Sequence, residues 1–180
     1  MLATNLTSKH FEAFGIITAS YASIETGFKY AICGMLDIFP YEAMAICEPY
    51  NSLALRNVVK ALAKQNLDES KSNKLIQLVG EFGSHSKLRN YIAHNDWANG
   101  ARPTSIKPVQ MNIREGRLDT KGFAEDEKDY TLDELLDSAK QLVSLRDKVV
   151  RYLHDSGMAD AIEQKMDEHN FPKDASDEIV

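Results

Sequence analysis

Residues 14–35 read F-G-I-I-T-A-S-Y-A-S-I-E-T-G-F-K-Y-A-I-C-G-M. Apolar or small residues recur in this stretch at alternating intervals of three and four positions: Phe14, Ile17, Tyr21, Ile24, Phe28, Ala31 and Met35. This spacing is typical of the buried face of an amphipathic helix. We predict one long helix over about residues 8–34, with Gly34 near its end.

The rest of the chain predicts more helices and one β-hairpin. Apolar periodicity and capping residues indicate helices over about 40–47, 51–65, 132–154 and 158–168, and one that starts near Ser70 and continues through 88–97. Alternating residues around the turn at 115–116 predict a hairpin over about 106–123. We therefore expect an all-α bundle of about five helices over residues 1–156 with a small β-hairpin insertion. A short helix and a flexible acidic tail are expected over 157–180.

Composition narrows the class of protein. The 180 residues carry a net charge of −6 and contain no apolar run of about 20 residues, so no membrane span is expected. The first residues lack the pattern of a secretory signal, which favours a cytoplasmic protein. Cys33 and Cys47 form no C-x-x-C pair and are predicted to be small core residues rather than part of a disulfide or metal site.

The acidic excess is confined to residues 101–180, which hold 18 Asp or Glu against 12 Lys or Arg. Residues 1–100 have no net charge, so this half of the chain does not repel a polyanion through its overall charge.

Residues 88–97, L-R-N-Y-I-A-H-N-D-W, place three chemically useful side chains close together. His94 can exchange protons near neutral pH, and the Arg89 guanidinium can hold phosphate oxygens and stabilise charge in a phosphoryl transition state. On one helix these two side chains are five residues apart and diverge by about 140°. One copy therefore has difficulty focusing both groups on one phosphate, whereas two copies across a two-fold axis can pool them.

The sequence R-N-Y-I-A-H at 89–94 resembles the R-x-x-x-x-H motif of HEPN domains, compact all-α domains of prokaryotic toxin and phage-defence systems. The order of predicted helices is similar over about residues 8–155. The resemblance implies a metal-independent, cofactor-free endoribonuclease that acts as a homodimer, with RNA as substrate and an antitoxin protein as a further partner. It implies that Arg89 and His94 are catalytic, that Asn90 positions or assists them, and that cleavage leaves a 2′,3′-cyclic phosphate.

Neighbouring residues are candidates for supporting roles. Lys87 and Arg102 flank the motif and are predicted to bind RNA phosphates, while Tyr91 and Trp97 can stack on bases or, alternatively, form core or dimer contacts. Glu25 is predicted to accept a hydrogen bond from the arginine, with a surface pair to a nearby lysine as the alternative. His85 is predicted either to support the site or to be a partly buried structural histidine.

Three alternatives to catalysis stay open from the sequence. The polar residues at 89–94 can simply satisfy the end of a helix, where a histidine interacts favourably with the helix dipole. The same fold can serve as a non-catalytic module that binds nucleotides, RNA or proteins. A helical adaptor that recognises a protein through its acidic second half is the third alternative.

Overall fold

A computed structural model of the chain describes residues 5–114, 117–121 and 128–168, with only the backbone described at 110–114, 117–121 and 168. The described chain is mostly helical, with one small antiparallel sheet. Its helices are α1 Ser8–Leu36, α2 Pro40–Cys47, α3 Ser52–Asn66, α4 Glu69–Ser84, α5 Ser86–His94, α6 Leu132–Asp155 and α7 Met158–Glu168. Its strands are β1 Asp96–Asn99, β2 Ile106–Arg114 and β3 Arg117–Lys121.

The periodic stripe of α1 is buried throughout, as predicted. The helix ends close to the predicted position near Gly34, since α1 continues two residues further to Leu36 and Asp37 then adopts a left-handed conformation with φ 54°. The backbone N–H of Ile38 donates to the Cys33 carbonyl over 3.2 Å, which closes the helix with a Schellman-type bond. Gly34 has another role, since a Cβ there would lie 2.8 Å from Cγ of Met158 on α7.

The predicted helix through 88–97 is interrupted and ends early. α4 ends at Ser84, whose hydroxyl donates to the Glu81 carbonyl over 2.7 Å, and α5 begins after His85. A Ser side chain that bonds a nearby carbonyl competes with helix continuation. α5 ends at His94, and Asn95 is extended with φ −119° and ψ 148°. The stripe inferred for the segment therefore does not reach Trp97, which lies in a strand.

The predicted hairpin is confirmed as the antiparallel pair β2 and β3, in which Arg114 pairs with Arg117. Residues 115–116 and 122–123 of the predicted hairpin lie outside the described residues. β1 was not predicted, and it pairs antiparallel with β2 to give the sheet order β1-β2-β3. A four-residue strand, D-W-A-N, is too short to show alternation in the sequence.

The predicted capping box at the start of α6 is confirmed. The backbone N–H of Thr131 donates to the Glu134 carboxylate over 2.8 Å, and the N–H of Glu134 donates to the Thr131 hydroxyl over 3.3 Å. α7 occupies the short helix predicted over 158–168, whereas the predicted acidic tail at 169–180 lies outside the described residues.

The chain divides into two compact units, to which α1, α4 and α6 each contribute residues. Unit 1 comprises the described residues up to Ile24 and those from Gly80 to Asp147, and its core includes Ile17, Tyr21, Phe82, Ile106, Leu135 and Leu142. Unit 2 comprises Glu25–Val79 and the described residues from Lys148 onward, and its core includes Phe28, Ile32, Leu75 and Tyr152. Cys33 and Cys47 are buried in unit 2, as predicted, and burial raises the pKa of both thiols.

None of the described helices alone has the length and apolar composition needed to cross a membrane. α1 and α2 meet that test only when counted together, across a bend of 117°.

Candidate functional site

The residues of the R-x-x-x-x-H motif lie on α5, in unit 1. Arg89 is half-buried, whereas Asn90 and His94 are exposed. An Nη1–H of Arg89 donates to the Asn90 side-chain oxygen over 3.2 Å. The structure therefore joins the arginine and asparagine directly and leaves the amide group of Asn90 at the surface.

The ring of Tyr21, on α1, packs against the Arg89 guanidinium. The Arg89 guanidinium carbon lies 5.2 Å from the centre of the Tyr21 ring, a distance at which the ring face attracts a cation. The Tyr21 hydroxyl is 2.9 Å from the Ser86 hydroxyl in the first turn of α5, and its ring centre is 4.1 Å from that of Phe82. Tyr21 is only 1% exposed, and its contacts with Ser86 and Arg89 connect α5 to α1.

Sequence reasoning did not identify Tyr21 as part of the site. The sequence did contain one indication, because Tyr21 places a hydroxyl within an otherwise apolar stripe. A buried tyrosine hydroxyl usually needs a hydrogen-bond partner. That signal indicates that a partner exists but does not say which residue provides it.

The Arg89 guanidinium is incompletely paired. Its Nε is buried and has no hydrogen-bond partner among the described residues. Within the same part of the chain, no carboxylate forms an ion pair with Arg89. Buried polar groups are nearly always hydrogen-bonded, and an unpaired one in a folded protein often marks a functional site or a place for a further ligand. The charge of Arg89 is therefore not neutralised by a carboxylate of the described chain, although the Nε atom itself is closed to solvent.

His94 is the last residue of α5, and the N–H of Asn95 closes the helix on the Tyr91 carbonyl over 3.1 Å. The motif's five-residue spacing places Arg89 and His94 about 7.5 Å apart along the helix axis and about 140° apart around it. The difference in burial between the two side chains agrees with this divergence. In the described chain, no hydrogen bond links His94 to the arginine or the asparagine.

Trp97 does not fit its predicted role as a platform for RNA bases. It lies on β1 with 6% exposure, and its ring centre is 4.9 Å from that of Phe14 and 6.1 Å from that of Tyr130. Both ring neighbours are buried as well. Trp97 is a core residue, because the strand that follows α5 turns it inward.

Arg102 does not fit its predicted role as a phosphate ligand. Its Nη1 and Nη2 donate to the two Glu134 carboxylate oxygens over 3.0 and 2.7 Å, and Nη2 also donates to the Asp129 carbonyl. The hydrogen bond from Arg102 holds the pKa of Glu134 down at about 2, although burial opposes the shift. The side chain of Arg102 thus fastens the loop before β2 to the start of α6.

Lys87 and Tyr91 form a pair on α5. The Lys87 ammonium lies 5.4 Å from the centre of the Tyr91 ring. Lys87 is exposed and Tyr91 half-buried, so both reach the surface that carries Asn90 and His94, and their predicted contacts with RNA stay predictions.

The two residues predicted to support the site lie in different units. His85, between α4 and α5, is half-buried, and burial lowers its pKa while the Glu81 carboxylate opposes the shift. Glu25 is half-buried on the part of α1 that belongs to unit 2. The described residues contain no hydrogen bond from Arg89 to Glu25, so that predicted contact is not found, while the supporting role of His85 stays a prediction.

Within residues 5–114, 117–121 and 128–168, no group of three or more His, Cys, Asp or Glu side chains is arranged to hold a metal ion. The chain matches none of the protein-family models, curated proteins or solved structures with which it was compared.

Proposed function

We propose that this chain is a HEPN-type, metal-independent endoribonuclease that acts as a homodimer. The observation that carries the proposal is that Arg89, which is half-buried and has no carboxylate partner among the described residues, lies on the same short helix as the exposed His94. Histidine and arginine are together sufficient for acid–base catalysis and for stabilising a negatively charged phosphoryl group.

The environment of Arg89 suits a phosphodiester. A guanidinium presents its N–H groups in a rigid fork that matches two phosphate oxygens. Here the fork is oriented by the Tyr21 ring and by the Asn90 side chain, so little side-chain freedom is lost when an anion binds. Because no described carboxylate neutralises the cation, a phosphate need not displace an existing ion pair.

The proposed reaction uses the RNA's own 2′-hydroxyl as nucleophile. One His94 removes the 2′-hydroxyl proton while the 2′-oxygen bonds to phosphorus, and the bond from phosphorus to the 5′-oxygen breaks. The leaving 5′-oxygen takes a proton from solvent water, so the site needs one histidine and one arginine. The products are a 2′,3′-cyclic phosphate and a 5′-hydroxyl, and Arg89 stabilises the negative charge that develops on the phosphoryl oxygens.

The proposal is tested by metal-free cleavage assays on single-stranded RNA in the presence of a chelator. Arg89→Ala and His94→Ala are each expected to lower kcat by about 100-fold or more. His154→Ala is a matched control, because His154 is also an exposed histidine in the last turn of a helix, α6. It is expected to cleave at the wild-type rate.

Absence of cleavage by the wild-type dimer, or cleavage that survives both motif substitutions, would contradict the nuclease proposal. RNA or nucleotide binding without cleavage, lost in Arg89→Ala, would instead identify the alternative of a non-catalytic binding module. An antitoxin partner is a further expectation of the HEPN resemblance and would be sought by co-purification with wild-type protein.

A further inference from the structure

The helix α3 carries an unusual charge for this chain. It bears Arg56, Lys60 and Lys64 at four-residue intervals and has no aspartate or glutamate, although the whole chain has a net charge of −6. Residues four apart lie on the same side of a helix, so the three cations form one stripe. Like charges at this spacing repel one another, so the stripe does not stabilise the isolated helix.

The three cations of the α3 stripe have no ion-pair partners among the described carboxylates. None forms an ion pair with Arg56, Lys60 or Lys64. Several lysines on other helices do have carboxylate partners within 4.0 Å: Lys71 with Asp68, Lys74 with Asp155, Lys140 with Asp137, and Lys165 with Asp37. The positive charge of the α3 stripe is thus available to an external anion.

The α3 stripe borders a concave surface of unit 2. Lys60 and Lys64 line a depression of about 410 Å³ together with Asn57, Ala61 and Gln65. Two cations and two side-chain amides in this lining can all donate hydrogen bonds, and no carboxylate is among them. The lining therefore offers hydrogen-bond donors and positive charge that suit phosphate oxygens.

We propose that the α3 stripe is a binding surface for the sugar-phosphate backbone of RNA. The charges are spaced about 6 Å apart along the helix and span about 12 Å, a length over which a nucleic-acid strand carries about three or four phosphates. The choice of RNA as the polyanion rests on the proposed ribonuclease function. The stripe is expected to bind without reading sequence, because its charges contact phosphates, which every nucleotide carries.

The probe is a fluorescently labelled, single-stranded 2′-O-methyl RNA of mixed sequence. It has no free 2′-hydroxyl and cannot be cleaved by 2′-attack, so binding is measured whether or not the protein is a nuclease. The dissociation constant is determined by anisotropy at several salt concentrations for wild type, Lys60→Gln, Lys64→Gln and the double variant. Lys140→Gln is the matched control, since Lys140 is an exposed helical lysine paired with Asp137.

Each α3 substitution is expected to weaken binding by about three- to fivefold near 0.1 M salt and to reduce the slope of log K against log salt by about 0.7. The double variant should show about twice the change in slope, and Lys140→Gln no change. Glutamine is a good helix former at these surface positions, and thermal unfolding verifies that the variants fold.

Wild-type affinity and salt slope in the double variant, or no binding of the probe by wild type, would overturn the assignment. A third result would also overturn the assignment: Lys60 and Lys64 are needed for binding of polyglutamate but not for binding of RNA. The stripe would then serve to bind an acidic protein. Loss of RNA affinity without any cleavage activity would support the stripe and count against the nuclease. If the Lys60→Gln/Lys64→Gln variant cleaves RNA with the KM of wild type, that result would support the nuclease and count against the stripe.

Discussion

The divergence of Arg89 and His94 predicts that two inactive variants restore activity when they share a dimer. Five residues on α5 separate the two side chains by about 140° and by about 7.5 Å along the axis, so one copy does not direct both at one phosphate. An Arg89→Ala homodimer lacks the arginine from both chains, and a His94→Ala homodimer lacks both histidines. Their heterodimer retains one arginine and one histidine, contributed by different chains.

Equal amounts of the two purified variants are mixed and allowed to exchange subunits, after which cleavage of a labelled RNA is followed. Random exchange gives about half heterodimers, so the mixture should reach at most about half of the wild-type rate. Each parent is expected to be slower than wild type by about 100-fold or more, which leaves room for a rise of about tenfold or greater over either parent.

The control is a mixture of Arg89→Ala with the Arg89→Ala/His94→Ala double variant. That heterodimer contains no motif arginine, so no recovery is expected from it. Native mass spectrometry establishes that heterodimers have formed in both mixtures. Formation of heterodimers without any increase over the parents would refute the pooled site, and so would full activity in a wild-type protein that stays monomeric at the assay concentration.

Three further predictions concern the support of the site and the packing of the chain. Tyr21→Phe keeps the ring beneath the motif arginine and should retain kcat, whereas Tyr21→Leu should lower kcat by about three- to thirtyfold with little change in KM, as steady-state cleavage kinetics will show. Gly34→Ala should lower the free energy of unfolding by about 1 to 3 kcal/mol, because its methyl group overlaps Met158 on α7. Gly80→Ala should raise the free energy of unfolding by about 0.5 to 1 kcal/mol, because its methyl group meets open space in a helix. Urea titrations measure both changes. Burial lowers the pKa of His10 and His85 below the ordinary 6.5, so the unfolded chain takes up protons first and stability should fall as pH drops below about 6.5; urea titrations from pH 8 to pH 5 that show no such loss would contradict this.

Local patterns accounted for most of the helices and for the hairpin. The interval of three and four residues along α1, the capping box of α6 and the alternation around β2 each depend on neighbours within a few positions, and the structure contains all three. Local patterns failed where a distant partner decided the conformation. The strand β1 exists because Asp96 to Asn99 pair with β2, and nothing within those four residues indicates a strand.

The candidate site shows the same division. The sequence shows the order of Arg89, Asn90 and His94 directly. Their divergence on a helix also follows from the sequence, because it depends only on the spacing of nearby residues. The burial of Trp97 depends on Phe14 and Tyr130, and the loss of Arg102 as a phosphate ligand depends on Glu134, 32 residues away. Such contacts depend on how separate elements pack, which local periodicity does not encode.

By itself, the sequence determined a helical chain with one hairpin and a motif of arginine, asparagine and histidine near a helix end, because periodicity, capping and residue chemistry act over short distances. Only the tertiary structure decided which of these groups are available for binding. It placed the Tyr21 ring, 68 residues before the arginine, against the guanidinium, and it left that guanidinium's Nε buried without a described partner. The physical reason is that charge neutralisation and burial depend on which side chains meet in space, and these meetings join segments far apart in the chain.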